Sequence, residues 1–127
     1  MITADQLVAH AVGDYVLQSD WMATEKTKQN VAALAHAGTY TLPFLLFTFH
    51  PLALAFIFWT HFAIDRWRLA RYIVWAKNWI GYGNRPWAEC TATGYPPDRP
   101  AWLTVWLLII ADNVLHVICN ALAIAYL

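Results

Sequence analysis

Three histidine–aspartate pairs stand out in a chain that is otherwise poor in charge. His10 and Asp14 are four apart in H-A-V-G-D, His61 and Asp65 in H-F-A-I-D, and Asp112 and His116, in reverse order, in D-N-V-L-H. A spacing of four puts both members on one helix face, one turn apart. A further histidine, His36, stands alone early in an apolar stretch. Imidazole nitrogen and carboxylate oxygen suit zinc, manganese or iron far better than copper(I) or an iron–sulfur cluster. His10, Asp14, His36, His61, Asp65, Asp112 and His116 are therefore candidate metal ligands, with Asp14, Asp65 and Asp112 as candidate catalytic carboxylates. Seven groups exceed one tetrahedral shell. They would hold two divalent ions, or one ion with the remaining groups orienting its ligands. A catalytic site of this kind keeps a coordination position for water, whose pKa the ion lowers toward neutrality. The plainer alternative is that a buried histidine–aspartate pair hydrogen-bonds and locks two helices together. That explains any single pair as well as a metal does, but it explains seven such groups at matched depth poorly.

The elements that must carry these residues look membranous. Of the 127 residues, 60% are hydrophobic and 13% charged, with a mean hydropathy of +0.41. Soluble domains are less apolar and about twice as charged. Eight tryptophans add to this, since indole favours the membrane–water interface. Zero formal net charge and the lack of a basic run argue against nucleic-acid binding. Cys90 and Cys119 form no C-x-x-C pair, and a disulfide between them is not expected. The N-terminus carries Asp5 and Gln6 where a cleavable signal would be basic.

The expected fold class is all-α: a single domain over 1–127, an integral membrane bundle of about four transmembrane helices. The expected helices are about 2–18, 31–49, 51–72 and 101–127. The last, after the breaker run Gly94 to Pro100, is the most apolar. Pro51, following His50, marks a turn between the second and third; His50 itself reads as an interface residue. In the first, Thr3, Gln6, His10, Asp14 and Gln18 share one stripe, opposite Leu7, Val8, Ala11, Val12, Tyr15 and Val16. In a bundle that stripe turns inward and the apolar face meets lipid; the rival is an amphipathic helix lying on the membrane surface. Gly13 would allow close helix approach, and Asn113 and Asn120 would donate hydrogen bonds between helices. All eight Lys and Arg fall in the first-to-second and third-to-fourth connections or their flanks. The positive-inside rule makes that side cytoplasmic and puts both termini on the periplasmic side of a bacterial inner membrane. The connection over about 78–100, with Trp79, Tyr82, Trp87 and Tyr95, reads as a cytoplasmic interfacial loop.

The segment from His10 to Ala23 resembles the H-x-x-G-D-[FY]-x-[LF]-Q-x-x-x-[ML]-[AS] opening of an uncharacterised family of small multi-pass membrane proteins of bacteria and phages. His36, the His61/Asp65 pair and the Asp112/His116 pair fit that family's pattern. The layout is more distantly similar to membrane-bound metal-dependent hydrolases, which implies a His/Asp metal site. The leading expectation is a metal-dependent hydrolase opening to the cytoplasmic side, embedded in membrane lipid. Its substrate would be a phosphoester or lipid-linked molecule, and a homo-oligomer would help to enclose the site. The alternatives are a proton or metal-ion transporter using the same cluster, a haem protein, and a non-catalytic membrane subunit.

Overall fold

A computed structural model of the chain describes residues 2–81 and 85–127; Tyr82 of the aromatic connection lies outside them. The described residues form helices and turns, with no strand among them. Helix α1 (Ala4–Ala11) starts at Thr3, whose hydroxyl accepts from the Gln6 backbone N–H. It continues into a π-helical turn over Val12–Val16, closed by Leu17 N–H on the Val12 carbonyl at 3.0 Å. Helix α2 (Asp20–Glu25) is capped by the Ser19 hydroxyl.

Helix α3 (Asn30–Thr41) gives way to a 3-10 turn over Leu42–Leu46. Pro43 is the reason. It has no N–H to donate to the Thr39 carbonyl, so the α-helical ladder cannot pass it. Helix α4 (Pro51–Trp67) begins at the expected proline and ends where Arg68 takes a left-handed φ of 51°. Helix α5 (Ala70–Gly81), helix α6 (Trp87–Cys90) and helix α7 (Ala101–Tyr126) complete the chain.

The expectation of four spanning helices is corrected at this point. Among the described residues, α7 alone is long and apolar enough to cross a membrane. Its 26 residues reach about 39 Å at ~1.5 Å each, more than a hydrocarbon core requires. The other three candidates are shortened by identifiable devices: the π turn, Pro43 and the Arg68 bend. The third helix therefore stops at Trp67 rather than Tyr72.

The chain divides into two compact units, 1–67 with 116–127, and 68–115. In the first, α3 packs along α4 through small residues: Ala32, Ala33, Ala37 and Ala53 are buried, together with Tyr40, Phe44 and Ile57. The end of α7 contributes His116, Asn120 and Ala123, spaced to share one buried face. Of the predicted α1 stripe, Gln6, His10 and Asp14 are buried, Gln18 is half-buried and Thr3 is exposed. Its opposite face is bare, Val8 being 61% and Val16 72% exposed.

In the second unit Arg68 and Arg71 donate to the Ala92 and Thr91 carbonyls, and the Tyr72 and Trp87 rings stack at 4.5 Å. Gly94 closes the turn after α6 with a φ of 82°, its N–H on the Cys90 carbonyl at 2.7 Å. A cavity of about 130 Å³ lies between Trp75, Trp79, Cys90, Tyr95 and Leu103. The two cysteines are free thiols.

Candidate metal centre

Four helical segments of the first unit bring their polar residues to one point. The π turn supplies Asp14, α3 supplies His36, and one turn of α4 supplies His61 and Asp65. All four are buried, and one ligand atom from each lies within 4.8 Å of the others. His36 Nε2 is 3.1 Å from both Asp14 Oδ1 and Asp65 Oδ2, and His61 Nε2 is 3.1 Å from Asp65 Oδ2. His116, on the end of α7, reaches Asp65 Oδ1 with Nε2 at 3.3 Å and His61 Nδ1 with its own Nδ1 at 3.1 Å.

Proton counting indicates what this cluster could hold. A neutral imidazole carries one N–H. The three contacts joining His61, His116 and Asp65 each need a hydrogen between their atoms, yet two neutral rings supply two. A similar conflict surrounds His36 Nε2. Both carboxylates require a proton there, while Lys26 Nζ at 3.3 Å, a pure donor, requires a lone pair. His61 Nε2 and Asp65 Oδ2 are buried without a well-directed hydrogen bond despite these short distances. These atoms belong to the group of four whose ligand atoms lie within 4.8 Å of one another.

A divalent ion among them would meet these demands apart from that of Lys26, whose place at the lone pairs it would take. It would accept the lone pairs of His36 Nε2 and His61 Nε2 and an oxygen each from Asp14 and Asp65. His61 Nδ1–H would then donate to His116 Nδ1, and His116 Nε2–H to Asp65 Oδ1. Neighbouring ligands around zinc, at ~2.0–2.1 Å from the ion, stand roughly 3.3 Å apart, close to the edges observed. His116 thus fits as the group that orients a histidine and a carboxylate. Among the described residues, His36 Nδ1 is the cluster nitrogen that this arrangement leaves buried without an acceptor.

Two further predicted residues lie outside this set of four. His10 is buried, but its Nδ1 is 2.8 Å from Tyr40 Oη, while Asn120 Nδ2 donates to the same oxygen at 2.6 Å. The amide nitrogen can only donate, which leaves the phenol its own proton to give to His10 Nδ1 in the tautomer that accepts there. Asp112 is half-buried on α7 within the second unit, where its charge acts on Arg68. His50 is exposed.

Two residues of the cluster were not singled out from sequence. Tyr40 stacks flat on His61, with ring centroids 3.5 Å apart and planes at 15°. It stands four residues after His36, so the helix-face rule applied to phenols would have found it. Lys26, just past α2, reaches Asp65 Oδ2 at 2.8 Å and Asp14 Oδ1 at 3.7 Å. No local pattern marks it. Arg66 holds its loop, donating to the Thr27 carbonyl and to Asn30 Oδ1, each at 2.7 Å.

Outside the cluster, hydrogen bonds from Lys28 and Gln29 hold the Glu25 carboxyl below its usual range, against the opposing effect of burial. Burial pushes the Cys90 thiol up, which keeps it protonated and makes it a poor nucleophile or ligand.

The family model described as "Protein of unknown function (DUF3307)" matches residues 2–127. The chain belongs to the DUF3307 family. No curated protein and no solved structure matches it. The DUF3307 match covers α1 through α7, and so every residue of the cluster.

Proposed function

We propose that this DUF3307 protein is a membrane-embedded metal-binding protein, and that the ion serves a metal-dependent hydrolase whose site opens to the cytoplasmic side. The observation that carries this reading is the convergence of Asp14, His36, His61 and Asp65, all buried, with His61 Nε2 and Asp65 Oδ2 lacking hydrogen bonds that a divalent ion would replace. A membrane setting is supported by the distribution of polarity. The buried set holds histidines, aspartates and asparagine, while Leu46, Phe49, Trp102 and Tyr126 are each at least 70% exposed. Soluble proteins rarely carry so much apolar surface. The apolar α7 adds to this.

Zinc, manganese or iron in the site would supply Lewis acidity toward a phosphoryl or acyl oxygen. The chain's own residues divide the remaining work. Asp65 is held from several sides, by Lys26, His36, His61 and His116, and acts as a fixed ligand. Asp14 is the carboxylate suited to take a proton from an attacking water, since fewer groups engage it. Tyr40 packs against His61 and keeps its ring in one orientation. The basic connections would attract a phosphoester or an acidic lipid-linked head group at the cytoplasmic leaflet.

Elemental analysis of detergent-purified protein, beside His61→Ala and Asp65→Asn, tests the reading. About one equivalent of a transition metal, lost in both variants, is the expected result. Wild type that takes up no zinc, manganese or iron after reconstitution would sink it. The Lys26–Asp65 pair favours a second reading, in which the cluster relays a proton or an ion. Flux into proteoliposomes that Asp65→Asn abolishes, in protein without metal, would support that alternative.

A further inference from the structure

The ammonium of Lys26 stands against the same atoms that would bind the ion. It lies 2.8 Å from Asp65 Oδ2, 3.3 Å from His36 Nε2 and 3.7 Å from Asp14 Oδ1. Three of the four candidate ligand atoms are therefore within reach of one tethered cation. A lysine ammonium has three donors and no acceptor. It can neutralise the two carboxylates and occupy one imidazole lone pair, but it cannot share those lone pairs with a metal. Its side chain is 17% exposed, against 3% for Asp65 and none for His36, so it enters from the accessible edge of the site. Its ammonium sits on a long lysine stem, whereas the ligands are short side chains on helical segments.

We propose that Lys26 is an intramolecular rival of the metal, so that loading this site is an exchange of one cation for another. This rests on the metal-binding reading above and adds its regulation. Without an ion, Lys26 holds Asp14 and Asp65 together and prevents two buried carboxylates from repelling each other. An entering divalent cation takes over their charge and releases the ammonium toward the edge of the site. The chain is then stable in both states, and its affinity for metal is set below what the ligands alone would give. Arg66 is the positioning residue for this exchange, since it ties the Thr27–Asn30 loop to the end of α4.

The test is zinc affinity and metal-free stability, measured on the full chain in detergent for wild type, Lys26→Met and Lys26→Arg. Zinc is titrated alone against a chromogenic chelator. Lys26→Met is expected to bind zinc roughly ten- to a hundredfold more tightly, the usual range for two coupled sites. The same variant should be less stable than wild type in excess chelator. Lys26→Arg, which keeps the charge, should stay near wild type in both measurements. Equal zinc affinity in wild type and Lys26→Met would overturn the exchange while leaving the metal site standing. No zinc binding in any of the three would remove both. If Lys26→Met does not fold without metal, Lys26→Gln, with a polar head, provides the comparison.

Discussion

Gly13 and Gly38 provide a pair of substitutions with opposite expected signs. A Cβ built on Gly13 would lie 2.8 Å from the Tyr40 carbonyl oxygen and 2.9 Å from Tyr40 Cδ2. An ordinary contact is roughly 3.5 Å, so the π turn and α3 would have to part by about 0.7 Å. Tyr40 cannot give way cheaply: it is fully buried, stacked on His61, and hydrogen-bonded to both His10 and Asn120. Overpacking of this kind costs about 1–3 kcal/mol. Loss of glycine freedom in the unfolded chain offsets about 0.4–1 kcal/mol of that. Gly13→Ala should therefore destabilise by about 1–2 kcal/mol, read as a lower denaturation midpoint in mixed micelles. A Cβ on Gly38 would meet nothing closer than Phe58 Cε2 at 4.0 Å. Gly38→Ala should then be neutral or gain up to about 1 kcal/mol, because the position is helical. Asp14 follows Gly13 directly, so Gly13→Ala should also weaken zinc binding, while Gly38→Ala should not. Equal stability for the two variants would refute the close approach of the first helix to Tyr40.

Three further outcomes follow from the cluster. His116→Ala keeps all four proposed ligands but removes the group orienting two of them, so zinc should still bind, about ten- to a hundredfold more weakly by chelator competition. Asp65→Asn removes a ligand and leaves Lys26 facing a neutral amide; breaking a buried pair costs about 3–5 kcal/mol, and the midpoint in excess chelator should fall accordingly. Tyr40→Phe deprives His10 and Asn120 of their shared hydroxyl, which should cost about 1–3 kcal/mol without abolishing metal content.

Much of the site was legible because α-helical spacing is a strong constraint. The His61/Asp65 pair lies on one turn of α4 as its spacing requires. Gln6, His10 and Asp14 of the α1 stripe face inward because no other side of that helix can bury polar groups economically in lipid or protein. Pro51 marked the start of α4, and the breaker run before Ala101 marked the start of α7. What stayed hidden depended on contacts distant in the chain or on local backbone geometry. The π turn has no composition of its own, and Pro43, at its position, reads equally well as a tolerated kink in a longer helix. Arg68 adopts a left-handed conformation that its residue type would not suggest, held by a carbonyl 24 residues away. Lys26 counted toward topology as a charge and gave no sign of turning inward.

The π turn sets the phase between the two ends of the first helix. With Val12–Val16 wound wider than the rest, one residue more is accommodated between His10 and Gln18 than an α-helix of the same rise would hold. Winding the same residues as ordinary α-helix would turn the two ends out of phase by about 100°, one residue's rotation. Either His10 would leave Tyr40 or Asp14 would leave His36. Deleting one residue of the wide turn other than Asp14 would instead let the segment close as α-helix with its ends still in phase. The winding of this turn, more than the number of residues in it, is what lets one short helix serve both contacts.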